Sequence, residues 1–120
     1  MTIEYLTLED LINLVRRLDV GPIRDIGLLD AAVARPRSSA FGADAYPSVE
    51  HKATALLHSL VRNHALADGN KRLGWLATVV FLDINHRAVH VDDDEAFDLV
   101  TGVAEGRLGV NEIADRLGSG

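Results

Sequence analysis

Residues 49–85 read VEHKATALLHSLVRNHALADGNKRLGWLATVVFLDIN: two apolar segments parted by nine residues of dense polar chemistry, HALADGNKR, from His64 to Arg72. In the first segment Ala53, Leu56, Leu57, Leu60 and Val61 form one stripe at helical spacing, and His64, four residues beyond Leu60, extends it. The second runs from about Gly69 or Asn70 to Ile84 and is apolar almost all round, through Leu73, Trp75, Leu76, Val79, Val80, Phe81 and Leu82. A helix apolar on every side belongs inside, so this segment is expected to be the buried central helix, with Asn85 as a left-handed terminator.

Outward from that pair, Thr7 opens a first helix with Asp10 in the capping-box position and Leu8, Leu11, Ile12, Val15 and Leu18 at helical spacing. Gly21-Pro22 stops it. A short helix over Leu28 to Arg35 ends at Pro36. The stretch 36–47, PRSSAFGADAYP, is turn-rich, carries two prolines and has no clear period. A loop of about a dozen residues in so small a domain is usually functional. Ser48 caps the helix that follows. Beyond the central helix, Asp92 caps another, with Glu95 in the box position and Ala96, Phe97, Leu99, Val100 and Val103 toward the core. A last helix runs from about Asn111 to Leu117 and ends at Gly118. The AVHV pattern at 88–91 is the only strand-like signal. The expected fold is all-α: one domain over residues 1–120, with about six helices around a buried central one.

The whole-chain properties narrow the function. A chain of 120 residues supports one core, and 48% hydrophobic residues suit a globular domain rather than a disordered one. A net charge of −6 argues against a nucleic-acid footprint spread over the surface, so any basic chemistry must be local. With no cysteine there is neither a disulfide framework nor a thiolate metal site, and the reducing cytoplasm is the natural compartment. The opening MTIEYLTLEDL has no charged stretch followed by an apolar run, so no signal peptide is expected. Leu73 to Ile84 is too short for a bilayer and is broken by Gly74, Thr78 and Asp83.

Asp68-Gly69-Asn70-Lys71-Arg72 falls where a loop enters a helix N-terminus. The first turn of a helix has unpaired N–H groups and the positive end of the dipole. Gly69 permits a close backbone approach. Lys71 and Arg72 add two full positive charges where the dipole would favour acids, an unfavourable arrangement unless an anion joins them. A phosphate is the obvious one. Asp68 beside them is a hard oxygen ligand of the kind that holds Mg²⁺ together with substrate phosphates. The His64 ring, if it faces the same pocket, can deprotonate a hydroxyl near neutral pH. Taken singly, an Asp-Gly pair reads as a turn, a Lys-Arg pair as a solvated face and a histidine on a stripe as a structural residue. Together they are the parts phosphoryl or nucleotidyl transfer needs.

The stretch resembles the core motif of the Fic/Doc superfamily, H-x-F-x-[D/E]-[A/G]-N-[G/K]-R, with His64, Asp68, Gly69, Asn70 and Arg72 matching. Lys71, in place of the glycine of Fic adenylyltransferases, resembles the Doc branch, the "death on curing" toxins. Gly27–Arg72 and Val103–Leu117 look Doc-like throughout. The resemblance implies a toxin of a toxin–antitoxin pair, a protein kinase that transfers the γ-phosphate of ATP to a threonine of elongation factor Tu and stops translation. It further implies His64 acting on the target hydroxyl, Asp68 holding Mg²⁺, Gly69 and Asn70 forming an anion hole, and Lys71 and Arg72 binding phosphates. The stretch 36–47 would be the target-docking flap, and an antitoxin's C-terminal segment would cover the active-site groove. Alternative readings are a Fic-type adenylyltransferase and a catalytically weak binding module. Trp75, where many Fic enzymes carry a second arginine, disfavours adenylylation. Two positions depart from the motif: Leu66 replaces its aromatic residue, and Ala65 stands where many relatives have proline.

The remaining features read as structure. TGVAEG at 101–106 has the form of an inhibitory Fic helix, but Trp75 removes the arginine its glutamate would pair with, and an ordinary helix end is expected. VDDDE at 91–95 lacks the spaced oxygens of a calcium loop. His51, His58, His86 and His90 have no zinc-binding spacing.

Overall fold

Polar side chains set most of the helix starts. In the computed structural model, which describes residues 2–118, α1 (Leu8–Leu18) begins on Thr7. The Thr7 hydroxyl accepts from the Asp10 N–H at 3.1 Å, and the Asp10 carboxylate accepts from the Thr7 N–H at 2.8 Å, closing the expected capping box. The helix ends sooner than Gly21-Pro22, on Asp19 in the left-handed conformation at φ 55°. Helix α2 (Ile26–Ala34) is capped by Asp25 and so starts two residues before Leu28. Pro36 does not end it abruptly. It sits at the start of a 3-10 turn, Arg35–Arg37, where its missing N–H is no loss.

The stretch 36–47 is more ordered than a loop. Strands β1 (Ser39–Ala40) and β2 (Ala43–Asp44) pair antiparallel, and the Ala45 N–H donates to the Ser38 carbonyl at 2.9 Å below them. The turn residues Phe41 and Gly42 both have positive φ, 53° and 80°, the arrangement whose twist suits a two-residue hairpin. Strands of two residues, exposed on both faces, carry no alternation for sequence reading to detect. The AVHV pattern at 88–91 forms neither strand nor helix.

Helix α3 (Val49–Arg62) is the centre of the domain, and α4 (Asn70–Ile84) is not. Ten of the 14 residues of α3 are buried, against six of 15 in α4. Helices α2, α4, α5 (Asp93–Ala104) and α6 (Val110–Gly118) all pack on α3, while α1 closes over α2 and α4. Lys52, Thr54 and Ser59 disguise this in the sequence. Each is buried with its polar atoms paired: Thr54 Oγ1 donates to the Glu50 carbonyl at 2.8 Å, Ser59 Oγ accepts from Arg35 at 3.0 Å, and Lys52 Nζ donates to the Tyr46 carbonyl. The apolar excess of α4 has another use, described below.

Gly74 sets how closely α4 meets α3: a Cβ there would lie 2.8 Å from Val61 Cγ2 and 3.3 Å from Leu57 Cδ1. At the far end of α4, Asn85 is not the left-handed residue (φ −101°); His86 is, at φ 61°. The buried Asn85 amide instead joins Glu4, accepting from its N–H and donating to its carbonyl, both at 2.9 Å. This ties the N-terminal segment to the core. On α5, Leu99, Val100, Gly102 and Val103 face inward, but Phe97 does not: it is 74% exposed. Replacing Gly74 by leucine should overpack the α3–α4 contact and lower stability by about 1–3 kcal/mol. Urea denaturation measures it, and unchanged stability would mean that the two helices do not meet as described.

Candidate active site

Helix α3 stops at Arg62, and the chain turns at His64, whose φ of 52° no right-handed helix contains. His64 therefore does not extend the α3 stripe. It leaves the helix axis and its side chain is exposed, while the next two residues, Ala65 and Leu66, are buried. Leu66 is fully buried in the core.

The loop 65–69 is zipped to the α1–α2 connection. The Arg24 and Asp25 N–H groups donate to the Ala65 carbonyl at 2.8 and 3.1 Å, Ala67 N–H donates to Pro22 at 2.9 Å, and Gly21 N–H donates to Asp68 at 3.0 Å. Ile23 and Leu66 form an antiparallel bridge. Asn70 closes the loop from the other side. Its Oδ1 accepts from the Leu66 N–H at 3.0 Å and its Nδ2 donates to the Leu66 carbonyl at 2.9 Å. The side-chain amide is thus committed to the loop, and what Asn70 can offer an anion is its backbone N–H. Gly69, at φ 94°, lies so close to Val20 that any Cβ would overlap that side chain. Glycine is needed here for conformation and for space.

Gly69 is the N-cap of α4 and no side chain caps the helix, nor is there an acid in its first turn. The first-turn N–H groups and the positive dipole end are therefore left for an anion. Lys71 and Arg72 are both exposed there. Arg72 lies 4.0 Å from the carboxylate of Asp68, four residues earlier in the loop, an exposed contact that is weak in water.

All six sequence-derived site residues, His64, Asp68, Gly69, Asn70, Lys71 and Arg72, line one groove of about 920 Å³. From the α4 N-terminus the groove continues between α4 and α5. Trp75, Leu76 and Val79 form one wall and Ala96, Phe97 and Val100 the other, with Asp93 and Thr101 adding polar groups. This accounts for part of the apolar excess of α4: Trp75, Leu76 and Val79 line the groove, while Val80 and Ile84 pack against the core. Residues 36–47 are not among those that line it. Sequence reading put Ala96, Phe97 and Val100 together on the core face of α5, whereas the structure places all three along the groove. Among the described residues no group of three His, Asp or Glu side chains converges to hold a metal.

A second set of contacts escaped sequence reading. Arg35, at the end of α2, donates through Nε to the Tyr46 hydroxyl at 2.8 Å, and one guanidinium nitrogen reaches Ser59 Oγ and His58 Nδ1, each at 3.0 Å. Accepting from Arg35 requires a neutral His58 ring protonated on Nε2. Burial first, then the charges of Arg35 and Arg62, lower the His58 pKa below its ordinary 6.5. The unfolded chain therefore takes up this proton before the folded one does. The stability contributed is complete above pH 6.5 and is lost as pH falls below it. As pH falls from about 8 to about 5, denaturation midpoints should decline more in the native protein than in His58→Gln, which keeps an acceptor but cannot titrate. Equal slopes would remove His58 as the cause.

Two comparisons bear on this arrangement. The sequence model of the Fic/DOC family matches residues 5–82, which include the loop, the α4 N-terminus and the α1–α2 connection. The chain is 48% identical over 118 residues to a protein of Mycolicibacterium smegmatis (strain ATCC 700084 / mc(2)155) named Toxin Doc, covering 95% of this chain and 91% of that protein. The chain carrying this groove belongs to the Fic/Doc family.

Proposed function

We propose that the protein is the toxin of a toxin–antitoxin pair and a protein kinase, transferring the γ-phosphate of ATP to a threonine of elongation factor Tu and so blocking translation. The observation that carries this reading is the uncapped α4 N-terminus, bearing Lys71 and Arg72 and opening on the same groove as His64 and Asp68. The similarity to Toxin Doc supports the branch, as does Lys71 in place of the glycine of adenylyltransferases.

On this reading the threonine Oγ attacks the γ-phosphorus, the bond from that phosphorus to the β–γ bridging oxygen breaks, and ADP leaves with the electron pair. His64 accepts the hydroxyl proton, a role suited to an exposed imidazole. The first-turn N–H groups of α4, with Lys71 and Arg72, hold the phosphate oxygens and offset the charge they carry in the transition state. Asp68 is an exposed carboxylate beside the α4 N-terminus, and among the described residues no three ligating side chains converge, which fits a Mg²⁺ ion delivered with the nucleotide rather than one caged by protein ligands. Bound there, Mg²⁺ would neutralise phosphate charge.

The apolar length of the groove suits a helical segment laid between α4 and α5 with its apolar face inward, and we assign it to the C-terminal segment of the cognate antitoxin. Phe97, exposed on the groove wall, is then covered in the complex. The hairpin 36–47 is assigned to docking of the target protein.

Intact-mass measurement of elongation factor Tu after incubation with the protein, Mg²⁺ and ATP tests the reaction. A gain of one phosphate is expected. A gain of AMP would make the protein an adenylyltransferase, and an unmodified target would overturn both enzyme readings. Asp68→Ala should abolish Mg²⁺-dependent ATP binding in calorimetry, and unchanged affinity would withdraw the metal assignment.

A further inference from the structure

The hairpin is held by groups that the proposed chemistry does not use. Residues 37–45 are all exposed, so apolar packing does not orient it. At its base the Arg37 guanidinium lies over the Tyr5 ring, 4.7 Å from the centroid, and at its other end two cations engage Tyr46. Lys52, on α3 and 2% exposed, donates through Nζ to the Tyr46 carbonyl and to Asp44 Oδ2 at 3.2 Å. Arg35 donates to the Tyr46 hydroxyl at 2.8 Å and lies over its ring, 5.4 Å from the centroid. The backbone, the hydroxyl and the ring face of one residue are all engaged.

The other end of both contacts is α3. Lys52 belongs to it, and Arg35 reaches the Ala55 carbonyl at 3.4 Å, His58 and Ser59, all on the same helix. Two residues past the end of α3 at Arg62 lies His64. Burying an ammonium group is unfavourable unless it is paired, and apolar side chains of similar size would fill the same space without that cost. What the two cations supply and apolar groups would not is direction: donors at fixed points that set the angle of the hairpin to α3.

We infer that Arg35 and Lys52 are positioning residues, which through Tyr46 fix the hairpin 38–45 to α3 and thereby set its place relative to His64. The protein substrate then meets a preset surface, with Phe41 fully exposed at its tip on a turn of positive φ. This rests on the assignment of the hairpin to target docking. Lys52 lies on the same α3 stripe as Leu56 and Leu60, at intervals of four residues. A lysine at that register is the sequence sign of a buried cation with a dedicated partner.

The test compares native protein with Tyr46→Phe and Asp44→Asn, whose side chains lie outside the buried core, and with Lys52→Met. Hydrogen exchange of the Ala45 amide, which donates to Ser38, should accelerate roughly tenfold in each variant, while the amides of α3 keep their protection. With elongation factor Tu as substrate, KM for the protein should rise roughly tenfold, with kcat and KM for ATP within about twofold of native. Unchanged Ala45 exchange in all three variants would overturn the inference, as would a fall in kcat with KM for the protein unchanged. If native protein leaves elongation factor Tu unmodified, the kinase reading fails, and the exchange measurement alone decides whether the anchor exists.

Discussion

The arrangement of the site depends on the paired hydrogen bonds between the Asn70 side-chain amide and the backbone of Leu66. They fold the loop back on the first residue of α4, so that a helix ending at Arg62 and another starting at Asn70 are joined with a fixed turn. Two further constraints complete it. Leu66 is pressed into the core, and Gly69 fits against Val20 where no side chain would. Together these leave His64 at the groove and α4 with its first-turn N–H groups uncapped. Removing the Asn70 amide would leave the Leu66 N–H and carbonyl without their partner, at a cost of about 1–3 kcal/mol if they stay buried.

The two departures from the family motif have structural answers. Ala65 lacks the fixed φ of a proline, but its carbonyl accepts two backbone N–H groups from Arg24 and Asp25. The stiffness a proline would give locally is supplied by the α1–α2 connection. Leu66 in place of an aromatic residue is fully buried and leaves no exposed edge. Lys71 and Arg72, by contrast, have no structural task of that kind: they are exposed beside the positive end of a helix dipole, where charge repels them. An anion in the groove offsets that repulsion, which is why the account places a phosphate there.

Much of this was legible in the residues. The capping box at Thr7, the N-cap at Asp92, the six helices and the six groove-lining residues of the motif all follow from spacing and side-chain chemistry. The centre of the fold was misread because hydropathy does not say which apolar surface meets the core and which meets a groove. Trp75, Leu76 and Val79 made α4 look central although they line the groove, and Lys52, Thr54 and Ser59 made α3 look amphipathic although their polar atoms are satisfied inside. Phe97 was assigned to the core for the same reason. His64 continued an apolar stripe on paper, but helical spacing carries no information about the positive φ that ends the helix before it. The hairpin was missed because two-residue strands have no pattern.

The central claim is that the α4 N-terminus is an anion site already formed in the free protein. Titration of ¹⁵N-labelled protein with Mg²⁺·ATP, followed by amide chemical shifts, tests it most directly. The account predicts that the Gly69, Asn70 and Lys71 amides move most, with the Leu66 and Ala67 amides nearly still because the loop does not rearrange. Largest shifts elsewhere, or a loop that moves as a whole on binding, would contradict it.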